Sequence, residues 1–274
     1  MRLRVLGSSS AGNCTLVWND RNALMVDCGF SPRTITAGLE ALDMDLPPIA
    51  GLLITHAHGD HVNDRTVDLL VNNRIPVYVR HELAKALKRM YPSLARASRL
   101  GMLREFDGTG VEAGDFEVES FPVPHDAPGG CFGFSITHGT GEERRKVTIA
   151  TDLGFQEAGL VGWFRDSHAV VVESNHDIAM LENSGRPEWL IKRIKEIGHL
   201  SNDQCASFVT DLARESTVPP RAVMLAHVSQ QCNTNALAER ATADALRAGG
   251  YASVRLVQTF PSTPSAIVDV RPRL

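Results

Sequence analysis

The sequence predicts an α/β fold in which two mixed sheets pack face to face with helices outside. Three observations carry this. Several short strand-like segments follow one another at the N-terminus before any helix. Strands and helices then alternate, and the pattern recurs in the second half of the chain. No linker, low-complexity tract or repeat interrupts the 274 residues, so 1-274 read as one domain.

Taken in order, residues 3–7, 14–18 and 23–27 read as strands separated by Gly, Ser and Asn turns. Ser31 followed by Pro32 marks an N-cap with proline at the first helical position, and a helix should run to about Leu42. Residues 49–55, IAGLLIT, are an unbroken apolar run. Such a run suits a strand buried on both faces, and it delivers the chain to His56. A helix near 64–72, a strand at 76–79 and a helix near 81–90 follow. Residues 116–123 form a strand ending at His125, and 133–137, 146–151 and 169–174 are strands. Helices near 187–198 and 202–214 precede a buried strand at 222–226, which ends at His227. A helix at 234–248 and strands near 253–257 and 264–269 close the chain.

Composition narrows the function. Apolar residues make up 43% of the chain and aromatics 6%, so aliphatic side chains must fill most of a sizeable core. A net charge of -4 excludes a strongly basic nucleic-acid binder but leaves room for a local basic surface. The N-terminal stretch is too short in apolar length for a secretory signal, and no apolar run is long enough to cross a bilayer. Cys14, Cys28, Cys131, Cys205 and Cys232 are scattered and odd in number, which suits small buried residues in a reduced cytoplasmic protein.

HAHGDH, residues 56–61, sets four metal-binding side chains, His56, His58, Asp60 and His61, directly after a buried strand. Residues two apart in extended backbone point to one side, so His56 and His58 can grip one ion. Gly59 lets the chain turn, so Asp60 and His61 can face a second. Imidazole and carboxylate suit zinc, and also manganese or ferrous iron. Three more ligand-type residues, His125, Asp152 and His227, stand where strands run out, the usual place for a site in layered α/β proteins. The set reads as His56, His58 and His125 around one ion and Asp60, His61 and His227 around another, with Asp152 bridging. Two divalent cations held this way can share a hydroxide and clamp an oxyanion, which is hydrolytic chemistry.

HxHxDH followed by a histidine, an aspartate and a last histidine at strand ends resembles the metallo-β-lactamase superfamily, with all seven positions matched. The resemblance implies a four-layer αββα sandwich and a metal-dependent hydrolase. Asp60 speaks against antibiotic hydrolysis, since the true β-lactamases of that superfamily commonly lack aspartate-histidine in this form. Residues 5–17, 173–181, 198–204 and 225–233 resemble the YycJ (WalJ) group, which implies exonuclease activity on DNA. Two of these segments are also similar to ribonuclease Z, where a glutamate and a histidine face the scissile phosphate. Glu173 and His199 match that pair. His176 and Asp177 depart from the ribonuclease Z pattern, which is typically apolar there, and no insertion corresponds to its arm for transfer RNA.

The pair also has a physical logic of its own. Cleaving a phosphodiester expels an alkoxide, and a positioned general acid is worth about 10² to 10⁴ in rate. His199 suits that role, and Glu173 would orient it and favour its protonated form. The alternative is a helix-cap histidine beside a strand-end carboxylate. His176 and Asp177 suit structural roles, or acceptance of an N–H from a ligating imidazole. Ser8, Ser9, Ser10 and Asn13 in GSSSAGN either cradle a phosphate or form a tight hairpin turn. Residues 81–104 carry six Lys and Arg against one acid, Glu82. That segment is either a positive surface for a phosphate backbone, with Arg96 and Arg99 as contacts, or an ordinary solvated helix face. His81, His138 and His168 are read as structural.

The expectation is a dinuclear phosphodiesterase, a DNA exonuclease, in which Asp60, His199 and Glu173 are catalytic. Hydroxide shared by the ions attacks phosphorus and His199 protonates the leaving oxygen. Open alternatives are a hydrolase of small phosphodiesters or thioesters, and a metal-bound regulatory protein with little turnover. A structural zinc needs four closed ligands rather than seven arranged for two open ions, which argues against the last.

Overall fold

The strands without hydrophobic–polar alternation lie at the middle of the molecule. β11 (Ala169–Glu173) is buried at every position. Ala169 and Val171 face the opposite sheet, while Val170 and Val172 face helices. β4 (Ile49–Leu53) divides in the same way, with Leu53 inward and Leu52 outward. A strand covered on both faces has no reason to alternate. β8 (Phe116–Val123) does alternate along FEVES, where one face meets solvent. The computed structural model describes residues 1–42, 45–108 and 110–271.

The first sheet contains β1 (Arg2–Ser9), β2 (Gly12–Trp18), β3 (Ala23–Val26), β4, β5 (Val77–Arg80), β6 (Leu103–Phe106) and β14 (Val268–Asp269). Its order is β14-β1-β2-β3-β4-β5-β6. The second contains β7 (Val111–Ala113), β8, β9 (Cys131–His138), β10 (Arg145–Ala150), β11, β12 (Ala222–Ala226) and β13 (Arg255–Gln258). Its order is β13-β12-β11-β10-β9-β8-β7. In each sheet an antiparallel portion passes into a parallel one, at β3–β4 and at β10–β11. The parallel strands therefore end along a common edge.

Three apolar layers hold these sheets. Leu3, Val5, Leu24, Phe134, Ile149 and Met224 lie between them. Helices α1 (Pro32–Glu40), α2 (Asp64–Asn72), α3 (His81–Met90) and α4 (Pro92–Arg99) cover the outer face of the first sheet. Helices α5 (Leu160–Phe164), α8 (Asn202–Glu215) and α9 (Asn235–Ala248) cover the second. This is the expected αββα sandwich. Helix starts follow their signals: Ser31 accepts the N–H of Thr34, and Ser201 with Gln204 forms a reciprocal capping box. All five cysteines are buried and free, in the packing role expected of them. Among the described residues, no helix is long and apolar enough to cross a membrane.

Several elements depart from the sequence reading. β1 runs on past residue 7 through Ser8 and Ser9, and GSSSAGN takes the second of its two expected forms, a tight hairpin. The helix expected at 187–198 divides into α7 (Glu188–Arg193) and a π-helical turn at Ile194–Gly198. The strand expected at 264–269 shrinks to β14, because Ser265 ties this Pro-flanked segment to Val5 and Arg4 outside the ladder. Elements α4, α5, α6 (Ile178–Glu182), β6 and β7 had no counterpart in that reading. Each spans eight residues or fewer, too short for a periodic signal to stand out.

Candidate metal centre and active site

The seven ligand-type residues meet at the edge where the strands run out. After β4, His56 Nε2 lies 3.1 Å from His58 Nδ1, and His125 Nε2, reached beyond β8, lies 3.3 Å from the same His58 atom. Beside them, His61 Nε2 is 3.5 Å from Asp60 Oδ2, and His227 Nε2, following β12, is 3.4 Å from that oxygen. Asp152, beyond β10, stands between the groups: its Oδ2 is 3.0 Å from His61 Nε2 and its Oδ1 3.8 Å from His125 Nε2. Within each trio one ligand atom per residue lies within 4.8 Å of the others.

This donor set fits cations. The Nδ1 atoms of four histidines are already engaged: His56 with Thr55 Oγ1 (3.0 Å), His61 with Asp27 Oδ2 (2.7 Å), His125 with the Gly198 carbonyl (2.8 Å) and His227 with Glu173 Oε1 (2.7 Å). With Nδ1–H donating, each Nε2 keeps a lone pair facing the cluster, which is how outer partners prepare a metal-binding imidazole. His58 turns Nδ1 inward instead. His227 Nε2 and Asp152 Oδ2 are buried without a well-formed hydrogen bond.

Electrostatics point the same way. Burial, reinforced by neighbouring His61, holds His56 well below its ordinary range, and burial lowers His58 too. Burial would also lower His61 and His227, but the carboxylates overcome it. Asp152 and Asp27 raise His61, and Asp152, Asp60 and Glu173 raise His227 to about 10. Asp60 and Asp152 are held below the carboxylate range by these histidines, against burial. Without ions, the carboxylates thus hold protons on His61 and His227. Divalent cations would replace those protons.

Glu173 has a wider role than a partner for His199. Its Oε1 accepts from His199 Nδ1 at 2.8 Å as well as from His227 Nδ1. Its Oε2 accepts the N–H groups of Leu153 and Leu200. Burial would push this carboxyl up, but His199 and His227 hold it below its usual range. His199 follows the π-helical turn, an irregularity that often marks functional sites, and its side chain stays 22% exposed.

Other expectations need correction. Of the two roles open to His176 and Asp177 the structural one is seen: Asp177 accepts from the Met180 N–H as the N-cap of α6, and buried His176 accepts the Asn202 N–H at its carbonyl. Asp27, Thr55, Glu173 and the Gly198 carbonyl support the ligand imidazoles instead. Ser8, Ser9 and Asn13 are buried and bonded inside the protein, so they form no open phosphate cradle; Ser10 alone of the four is exposed. Arg96 and Arg99 occupy the last turn of α4, as a helix-surface reading requires, but Arg96 is bound to Asp68 and Asn72. Gly59 is also dispensable for the turn: a Cβ there meets open space. The obligatory glycine is Gly29, where a Cβ would stand 1.8 Å from the Asp60 carbonyl oxygen. Asp27 was missed although it ends ALMVD just as Asp152 ends TIATD, so the strand-end signal was present. Asn175, whose Nδ2 donates to the His227 carbonyl at 2.8 Å, also follows a strand, but as an amide it is no ligand type and so did not stand out.

A family model described as the beta-lactamase superfamily domain matches residues 22–228. The chain belongs to this superfamily. Among characterised relatives, exodeoxyribonuclease YycJ of Bacillus anthracis is 29% identical over 276 residues, covering 97% of this chain and 98% of its own. Exodeoxyribonuclease WalJ of Streptococcus pneumoniae is 26% identical over 278 residues, 97% of each. Zinc-bound PqqB from Methylobacterium extorquens has a similar fold, with a TM-score of 0.69 at 14% identity over 98% of this chain and 100% of that one. This superfamily member has the metallo-β-lactamase fold and is a metal-dependent hydrolase. The resemblance to the YycJ (WalJ) group, read from four short segments, extends over nearly the whole chain.

Proposed function

We propose that the protein is a two-cation phosphodiesterase that degrades DNA from an end. The observation that carries this is the junction of two ligand trios at Asp152 with an adjoining Glu173–His199 pair. A pair of divalent cations, zinc or manganese, would supply Lewis acidity and a lowered pKa for an attacking water. His56, His58 and His125 would hold one and Asp60, His61 and His227 the other, with Asp152 shared. Asp60 would stay ionised as a ligand and orient the attacking water by accepting a hydrogen bond from it. His199 keeps Nδ1 on Glu173, leaving Nε2 to protonate the departing oxygen. That task is needed for an alkoxide, which favours a nucleic-acid substrate over an activated ester. The names of the YycJ and WalJ relatives support DNA.

The test is a nuclease assay on end-labelled duplex and single-stranded DNA and RNA with zinc, manganese or magnesium. Stepwise shortening of DNA from one end is the expected result. Turnover of small phosphodiesters with every polymer left intact would overturn the reading.

A further inference from the structure

We infer that the β1–β2 hairpin brackets one cation position only, that of Asp60, His61 and His227, and that Ser8 and Asn13 set the affinity there. The inference rests on the two-cation reading. Ser8 Oγ accepts the N–H of His227 at 2.8 Å and donates to Asn13 Oδ1 at 2.7 Å. The Asn13 N–H donates to the Asp60 carbonyl at 2.8 Å. Its Nδ2 lies 3.4 Å from Asp60 Oδ2 and 3.0 Å from His61 Nε2. Two residues of one hairpin thereby touch all three members of one trio. The other trio leans elsewhere, His56 on Thr55 and His125 on the Gly198 carbonyl.

The bracket also has mechanical work. His227 has a φ of 52°, a left-handed backbone that a residue with a Cβ adopts only when its surroundings hold it. Ser8 holds the N–H side of this residue and Asn175 the carbonyl side. Ser8 and Asn13 are each 3% exposed, so their polar atoms act on ligands rather than on a substrate. The small residues of this segment follow from the same packing: a Cβ at Gly12 would stand 2.5 Å from the Phe30 ring. Thr55 and Asp152 are common to both positions, whereas the hairpin belongs to one, so its loss should weaken that position more than the other.

The experiment is zinc titration of metal-free protein by calorimetry, comparing wild type with Ser8→Ala and Asn13→Ala. Wild type should bind two ions. Both variants should bind one ion as wild type does and the other about 10- to 100-fold more weakly, the usual effect of removing an outer partner. His58→Ala identifies the event belonging to the other trio. Ser9→Ala, whose Oγ accepts the hairpin's own Ala11 N–H, should titrate like wild type. Equal weakening of both ions, or the same loss in Ser9→Ala, would mean that the hairpin acts through general stability and would overturn the inference. Unchanged metal binding with reduced turnover would overturn it in favour of substrate contact. A wild type that binds a single ion refutes the two-cation reading and the bracket together, whereas two ions bound equally well by every hairpin variant refutes the bracket alone. Should Asn13→Ala fail to fold, Ser8→Ala, which removes one oxygen atom, decides the matter.

Discussion

Glu173 Oε1 serves two imidazoles, and this separates the behaviour of two substitutions. His199→Ala should leave both cations bound and lower turnover on DNA by about 10² or more, with a smaller loss on a nitrophenyl ester, whose leaving group departs unaided. Glu173→Gln should also weaken metal binding at His227, by about 10- to 100-fold, because it removes the anionic acceptor of the ligand's Nδ1–H. Metal analysis beside the rate measurements checks this, and identical metal content in the two variants would contradict the shared role. The pairing of Glu173 with His199 was legible as a motif. The sharing with His227 was not, because it depends on register: Glu173 lies opposite Ala226 on the neighbouring parallel strand, which brings the next residue within reach. The seven ligand-type residues were legible because they follow strands, four in the single motif HAHGDH after β4 and His125, Asp152 and His227 singly after later strands, a pattern that survives without coordinates.

At the scale of elements, the loop after β4 is held by its neighbours. Cys28 donates to the His61 carbonyl, and Gly29 packs on the Asp60 carbonyl too closely for any side chain. Gly29→Ala should force these segments apart, cost about 1–3 kcal/mol or more, and lower metal content. Gly59→Ala in the same loop should be close to neutral; thermal melts and metal analysis of the two give the comparison. The basic segment divides similarly. Arg96 is committed to Asp68 and Asn72, whereas Arg99 is exposed on α4. Arg99→Glu should reduce the slope of log K against log salt on duplex DNA by about 0.9 if it meets one phosphate. An unchanged slope would make α4 an ordinary solvated face. These distinctions were hidden in the sequence because they depend on which side chain a neighbouring helix supplies.

For the whole molecule, the sandwich was legible from the doubly buried strands, while the placing of β14 beside β1 was not, since nothing local joins residues so far apart in the chain. The charged cluster between the sheets makes stability depend on pH. In metal-free protein His61 and His227 are raised above their ordinary 6.5, so their contribution is full below that pH and is lost as pH rises beyond it, that of His227 toward about 10. Asp60, Asp152 and Glu173 are lowered, so theirs is present above the carboxylate range and lost in acid. Burial lowers His56 and His58, so stability also falls as pH drops below about 6.5, and chelated protein should melt highest near that pH and lower at both pH 5 and pH 9; calorimetry across this range checks it. The cluster also joins the two sheets. The first sheet leads into His56, His58, Asp60 and His61, and the second into His125, Asp152 and His227. The complete set of donors exists only after the halves have docked, so cations that bind there would stabilise the native state, and slow unfolding without speeding folding if docking follows the folding transition state. Loaded and chelated protein should then refold at nearly the same rate, while the loaded form unfolds far more slowly: a kinetic latch, closed last and opened first.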